Sequence, residues 1–480
     1  MPFSKLLNWK KNIYFLIPST LVFFLYLKTL LPDVGFWDTG EFQTIGYTFD
    51  ISHPTGYPLY IILLKIFTSF LPIGNIAYRA NLLSALLSIF ALYFVSKTIF
   101  IITKNITLSL FVPIILGTNP FLWSTSTRAD PHTLHFFLVS LFIYIQSLII
   151  IKKKYKLLYL LSLIFGLSLT NHLLSIFILP TFILTLLFIK IPLKKKVTAN
   201  ALVFIPLLIY LVIPIIYHFK GAYTIDYNLE NPHNFIRYVF GQDFSPQTSL
   251  KINKLFLVGL ANGVRLLEKN LGRFLFLTSI FGLVVFVIKE KLALALLPLF
   301  LLNLFFSANY QNAVIERYFL TNLLLLFLST AYFLNMFLRN LELIIRNKIG
   351  KFKFTNLGLN FLIALLLIAP ISNNILKNYK NINQSKNYHA RNWATSTLNN
   401  LEPNAVIFSW WSYSTPLWYL QKVEKTRPDV LVINDSQNNW EEKAKYYLGK
   451  RPVYFIEKID LTDKNLTLIN KRGVFKLEKN

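Results

Sequence analysis

The sequence predicts a mainly α-helical, polytopic membrane protein of about eleven transmembrane helices, followed by a small α/β domain outside the bilayer. Three observations carry that prediction. Charged residues make up 15% of the chain against 54% hydrophobic, and mean hydropathy is +0.49, whereas a soluble domain is nearer a quarter charged. Lysines gather in short runs between apolar stretches of roughly 20 residues, the length a helix needs to cross a bilayer. Beyond residue 376 those stretches stop, and short β-branched runs bounded by turn residues begin.

The apolar segments lie near 13–31, 77–96, 106–123, 134–151, 156–170, 172–189, 199–218, 271–288, 292–306, 318–337 and 356–374. Lys5, Lys10 and Lys11 before the first resemble the start of a signal peptide. That run ends Thr29-Leu30-Leu31-Pro32-Asp33 without a small-x-small cleavage site, so it reads as an uncleaved first span. With the N-terminus cytoplasmic, every basic cluster falls on the cytoplasmic side: Lys97 and Lys104, Lys152 to Lys156, Lys194 to Lys196, Lys289 and Lys291, and Arg339 to Lys353. The stretch 57–72 is too short to span comfortably and carries Lys65, and it reads as an interfacial or re-entrant helix on the outer side. Residues 1–375 therefore form the membrane unit, with a first outer loop 32–76 and a long outer loop 219–270. Residues 376–480 form an extracytoplasmic domain, with strands at Pro403–Ser409, Pro428–Asn434 and Pro452–Ile456 and a helix from Trp410 to Lys422.

Composition also excludes functions. The net charge of +27 is dispersed among loops rather than gathered on one basic face, which speaks against nucleic acid. Cysteine is absent, excluding disulfides, thiolate metal sites and a cysteine nucleophile. No Gly-rich phosphate loop and no internal repeat is present.

Polar chemistry concentrates after the first span, in Phe36-Trp37-Asp38-Thr39-Gly40-Glu41-Phe42 and Ser52-His53-Pro54-Thr55-Gly56-Tyr57-Pro58. Asp38 with Glu41 three residues on reads as a capping box opening a helix. The same carboxylates, beside His53 at a membrane edge, can serve as a general base toward a hydroxyl. Pro54, Gly56 and Pro58 make a rigid turn that could aim His53 and Tyr57 at a phosphate or at Asp38. In Arg128-Ala129-Asp130-Pro131-His132-Thr133-Leu134-His135, the i, i+3 histidines His132 and His135 share a helix face. They are weak candidates for a divalent metal; a second polar wall with Arg128 clamping a phosphate is the stronger reading. Asn171 and His172 join two spans as helix caps or site residues, and Glu316-Arg317 opens the tenth span as a local ion pair or an anion contact. Asp226, Arg237 and Asp243 in the long loop read as solvent-facing charge. All seven histidines fall on or near the outer side under this topology, and arginine lies there too, except Arg339 and Arg346.

Trp37 to Phe42, His53 to Tyr60 and Arg79-Ala80-Asn81-Leu82-Leu83-Ser84-Ala85 resemble the N-terminal signature of a membrane family whose eukaryotic member is a transmembrane protein O-mannosyltransferase of the GT-C glycosyltransferase superfamily. Gly166 to Leu173 and Arg427-Pro428-Asp429-Val430 are similar to it as well. The family carries Glu followed by Val-Tyr after the third span, where this chain reads Asp130-Pro131-His132. The resemblance implies a GT-C fold and a sugar donor carried on a polyprenyl phosphate. It also implies a catalytic base in the first outer loop, at Asp38 with Glu41 as second candidate. The expected activity is inverting transfer of a sugar, with mannose one candidate, to a hydroxyl of a protein or glycan acceptor on the outer face of the cell membrane. His53, Tyr57, Arg128, Asp130, Asn171, His172 and Arg317 are the expected substrate and phosphate contacts. No cofactor is required beyond the metal question at His132 and His135. The alternatives are a transporter or lipid flippase with an outward polar site and a receptor or scaffold built on the outer domain.

Overall fold

The computed structural model describes residues 13–247, 252–312, 314–349 and 355–480. The sequence readings at Lys5, Lys10, Lys11 and residues 350–353 lie outside that set.

All eleven expected apolar segments are helical. Among the described residues, Ile76–Thr103, His132–Ile150, Leu193–Lys220, Lys291–Asn309, Ile315–Ile345 and Gly358–Ile382 are each long and apolar enough to cross a membrane. Two further pairs are bent: Ile106–Thr118 meets Pro120–Ser126 at 67°, and Lys254–Leu271 meets Arg273–Lys289 at 116°. Each bend has a local cause. Asn119 and Pro120 stop one helix and start the next, with the Asn119 carboxamide accepting from the Phe121 amide. Gly272, at φ +76°, turns the second pair. Ile13–Thr29, Tyr155–Leu169 and Leu173–Phe188 are shorter apolar helices, as is Pro58–Phe70, the expected interfacial segment.

Large apolar side chains such as Phe274, Phe281, Ile288, Leu362 and Leu366 stand more than half exposed on the bundle's outside. Such a belt is costly in water and neutral in lipid, which fits a multi-pass membrane protein. Polar side chains inside the bundle bond across helices instead, as Gln146 does to Thr185 at 2.7 Å and Asn303 to Asn322 at 2.5 Å.

The C-terminal part is a five-stranded sheet ordered β2-β1-β3-β5-β4, with β1 Val406–Ser409, β2 Leu431–Asn434, β3 Val453–Phe455, β4 Leu466–Lys471 and β5 Val474–Lys479. β1 runs parallel to β2 and β3, while β5 is antiparallel to β3 and β4. The three expected strands are present, and the β4–β5 hairpin adds to them. Its two-residue turn, Arg472-Gly473, has both φ angles positive, matching the twist of a tight hairpin. The helix expected from Trp410 to Lys422 runs from Trp411 to Trp418 and loosens into a π turn over Tyr419–Val423.

The carboxyl end of β1 faces the membrane bundle. The helix after it, Trp411–Trp418, packs on the helix Trp37–Thr48 so closely that a Cβ on Gly40 would collide with the Gly35 carbonyl and come 2.9 Å from Thr415 Oγ1.

Candidate active site

The site is built on the short helix Trp37–Thr48. Phe36 occupies its cap position with no side-chain cap, so the capping box expected of Asp38 and Glu41 does not form. Asp38 instead sits in the first turn, where the unpaired amides favour a carboxylate. Glu41, fully buried, turns inward. At the other end, Lys65 Nζ donates to the Tyr47 carbonyl at 2.6 Å and Lys220 Nζ to the Thr48 carbonyl at 2.8 Å. Two ammonium groups thus satisfy the last carbonyls, which gives Lys65 a reason to sit in an apolar helix.

Gln43 and Asn81 hold this helix in register with the next wall of the site. The Gln43 carboxamide accepts from the Gly35 amide at 2.9 Å and donates to Asn81 Oδ1 at 2.8 Å. Asn81, fully buried, accepts from the Ala129 amide at 2.8 Å and donates to the Leu31 carbonyl at 2.8 Å. The loops carrying Asp38 and Asp130 therefore share one anchor.

Arg317 joins the two carboxylates. Its Nη2 donates to Asp38 Oδ2 at 3.0 Å and its Nη1 to Asp130 Oδ2 at 3.2 Å. The reading of Glu316-Arg317 as a local ion pair is thereby replaced by a clamp across three segments. Asp130 Oδ1 accepts from both the amide and Nδ1 of His132, each at 2.9 Å. Burial would raise the Asp130 pKa, but Arg317, His132 and Arg128 outweigh it and hold the carboxyl far below its usual value. Asp38 is lowered on the same balance: burial opposes ionisation, while His53, Arg317 and the Trp411 indole favour it. The Asp38 side chain is 26% exposed, against 2% for Asp130 and 0% for Glu41, so it is the open carboxylate of the three.

Glu41 and His53 form the second pair. The Glu41 carboxylate accepts from the His53 amide at 2.7 Å and lies 2.5 Å from His53 Nδ1. Burial raises the Glu41 pKa; burial would lower that of His53, but Glu41 and Asp38 raise it above its usual value. The two side chains are thus joined by a short, charge-assisted contact. His53 addresses Glu41 rather than Asp38, and its Nε2 lies 3.5 Å from the Tyr57 hydroxyl. Asp38, Glu41 and His53 each offer a ligand atom within 4.8 Å of the others, a spacing that suits a divalent cation. A cation there would have to displace Arg317 from Asp38 and His53 from Glu41.

A third group lies behind Arg317. The His132 and His172 rings are 4.6 Å apart, and His172 Nδ1 accepts from the Leu174 amide, leaving Nε2 as the protonated nitrogen. His172 Nε2, His132 Nε2, Arg317 Nε and Asn171 Oδ1 are buried without a partner, and Arg128 makes no hydrogen bond or salt bridge to a described residue. Burial pushes the Arg128 pKa down. His172 Nε2, Arg317 Nε and the Arg128 guanidinium are unspent donors and suit an anion, whereas His132 Nε2, whose ring donates from Nδ1 to Asp130, and Asn171 Oδ1 are acceptors. His135 is separate in character: its Nδ1 meets Ser175 Oγ at 3.1 Å and its Nε2 meets Thr321 Oγ1 at 3.3 Å, so both ring nitrogens are engaged. Arg237 pairs with Asp243 in the long loop, at 2.7 Å.

Sequence reasoning misses Trp411, whose Nε1 donates to Asp38 Oδ1 at 3.1 Å. Its only sequence signal is the pair Trp410-Trp411 at the end of a predicted strand, which is where open α/β sheets place ligand-facing residues.

Two family models match the chain: Protein O-mannosyl-transferase TMEM260 N-terminal domain over residues 38–195, and TMEM260-associated domain 2 over residues 390–442. The protein O-mannosyl-transferase tmem260 of Dictyostelium discoideum is 22% identical over 475 residues, covering 87% of this chain and 56% of that protein. The Mus musculus TMEM260 is 29% identical over 120 residues, 25% of this chain and 17% of its own length. The chain thus spans little more than half of the longer-matching curated relative. Among solved structures, ArnT from Cupriavidus metallidurans bound to undecaprenyl phosphate superposes with a TM-score of 0.59 at 8% identity, covering 98% of both chains. An oligosaccharyltransferase from Archaeoglobus fulgidus, in complex with Zn and sulfate, gives 0.55 at 14% identity over 91% of this chain and 67% of its own. These similarities show the GT-C fold.

Proposed function

We propose that this chain, which carries the TMEM260-type domains on a GT-C glycosyltransferase fold, transfers a sugar from a polyprenyl-phosphate donor to a hydroxyl of a protein or glycan acceptor on the outer face of the membrane. The observation that carries this reading is the Asp38–Arg317–Asp130 clamp: a partly exposed carboxylate beside an arginine that has unspent donors behind it. In this reading residues 1–375 form the catalytic membrane unit, residues 376–480 the outer domain, and the N-terminus is cytoplasmic.

Asp38 is the base and Glu41 is not. Both carboxylates accept hydrogen bonds at both oxygens, but Glu41 is fully buried against His53, whereas the Asp38 side chain is 26% exposed. Asp38 takes the proton of the acceptor hydroxyl as its oxygen attacks the anomeric carbon in line. The bond from that carbon to the phosphate oxygen breaks on the opposite side, inverting the centre. The polyprenyl phosphate leaves with the electron pair, and Arg317, Arg128 and His172 Nε2 supply cationic and N–H contacts to the growing charge. Donor and base compete for Arg317. A phosphate that draws the guanidinium away from Asp38 removes one of the groups depressing its pKa, so donor binding itself strengthens the base. Tyr57 and Asn171 stand beside these groups, Tyr57 with its hydroxyl 3.5 Å from His53 Nε2 and Asn171 donating to the Pro131 carbonyl at 3.2 Å. Mannose is the first sugar to test, given the names of the relatives.

Membranes containing the protein, supplied with a panel of polyprenyl-phosphate sugars and analysed by mass spectrometry for glycosylated product, test the reading. Product with a lipid-linked sugar, absent in Asp38→Asn membranes, supports it; transfer undiminished in Asp38→Asn overturns the assignment of the base.

A further inference from the structure

We infer that Trp411, carried by the C-terminal sheet domain, is a positioning residue for Asp38, so that the outer domain completes the active site rather than only flanking it. The inference rests on the reading of Asp38 as the base.

The geometry is specific. Asp38 offers two oxygens to the protein: Oδ2 takes the Arg317 guanidinium at 3.0 Å, and Oδ1 takes the Trp411 indole N–H at 3.1 Å. A carboxylate held at one oxygen alone swings about its χ2 axis; one held at both presents a fixed lone pair. Arginine and indole together therefore set the plane from which Asp38 meets an acceptor hydroxyl. The indole also differs from Arg317 in kind. Being uncharged, it is not drawn off as a counter-ion by a phosphate, so one of the two contacts that limit the swing of Asp38 persists if Arg317 turns to the donor.

Trp411 is itself held tightly. It follows β1 and Trp410 directly and opens the helix that presses on Gly40, where no room remains for a side chain. Its ring lies edge-on to His53 at 5.7 Å between centroids and to Trp418 at 5.9 Å. One side chain of the outer domain thus touches both the open carboxylate and the His53–Glu41 pair. Trp410, its neighbour, faces Trp37 and Tyr413 at 5.4 and 5.0 Å, and its N–H has no partner.

Kinetics of the full-length protein in membranes test the inference. Trp411→Phe keeps a ring and removes the donor. The expected result is a fall in kcat of about tenfold or more, with KM for the polyprenyl-phosphate sugar within about twofold. The acidic limb of the kcat/KM profile moves to higher pH, because Asp38 loses a bond that favoured its ionised form. Trp410→Phe, which removes an indole N–H that bonds nothing, retains wild-type kinetics. Where Trp411→Phe does not fold, 3-benzothienylalanine at position 411 keeps the ring outline without the N–H and gives the same readout. Wild-type kcat and an unmoved acidic limb in the donor-less protein overturn the positioning role. If Asp38→Asn is also fully active, the base assignment fails with it; if Asp38→Asn is dead, only the role of Trp411 fails.

Discussion

Arg317 Nη2 lies 3.0 Å from Asp38 Oδ2, joining residues 279 positions apart in the chain. That contact ties the opening of a long span to the helix Trp37–Thr48, and through Asp130 to a third segment. Its consequences can be measured separately.

Replacing Asp38 with Asn removes the proposed base but leaves Arg317 paired with Asp130. Transfer is expected to fall by about a hundredfold or more, while the melting temperature in detergent stays within a few degrees of wild type. Glu41→Gln, by contrast, removes the carboxylate partner of His53 and is expected to cost stability before it costs chemistry. A Glu41→Gln protein as stable as wild type but inactive would exchange the two roles.

Arg317→Lys keeps the charge and loses the fork. One ammonium cannot serve both Asp38 and Asp130, and Asp130 is buried, so the cost is expected to be about 2–3 kcal/mol of stability. Differential scanning measurements in one detergent would show it, and an unchanged melting temperature would mean that the clamp contributes nothing to the fold.

Asp130 gives a pH signature. Its folded pKa is held below the unfolded value by Arg317, His132 and Arg128 against the effect of burial. A carboxyl shifted that way stabilises the fold above its unfolded pKa, about 3.9, and the contribution is lost as pH falls through the folded value. The difference in melting temperature between wild type and Asp130→Asn is therefore expected to be flat from about pH 8 to 5 and to close only under stronger acid, below about pH 4. A difference that closes between neutral pH and pH 6 would contradict the assignment.

The absence of cysteine makes topology accessible to single-cysteine labelling. Lys458→Cys, exposed on the sheet domain, is expected to react with a membrane-impermeant maleimide in intact cells. Lys153→Cys, exposed between two spans, should react only after permeabilisation. The reverse pattern would place the sheet domain in the cytoplasm.

The helices were legible because hydropathy over about 20 residues is a local property. Charge at the membrane edge was legible too, which is why Asp38, His53, Asp130, His172 and Arg317 could be named as candidates. Their pairing was not. Asp38 with Glu41 matched a local rule, yet each carboxylate found a better partner at long range, Arg317 for one and His53 for the other. Trp411 carried only a weak sign of its role, its place at the end of a predicted strand, since a tryptophan there packs in a core far more often than it donates to a carboxylate. The β4–β5 hairpin is faint in the sequence because Lys and Asn dilute the apolar face of its strands.

Asp38, Arg317 and Trp411 also have an order of birth. A ribosome delivers Asp38 early, Arg317 two-thirds of the way through, and Trp411 only when most of the chain has been made. Until then Asp38 lacks its contact to the indole. A chain that ends before residue 411 therefore lacks one of the two contacts that hold Asp38.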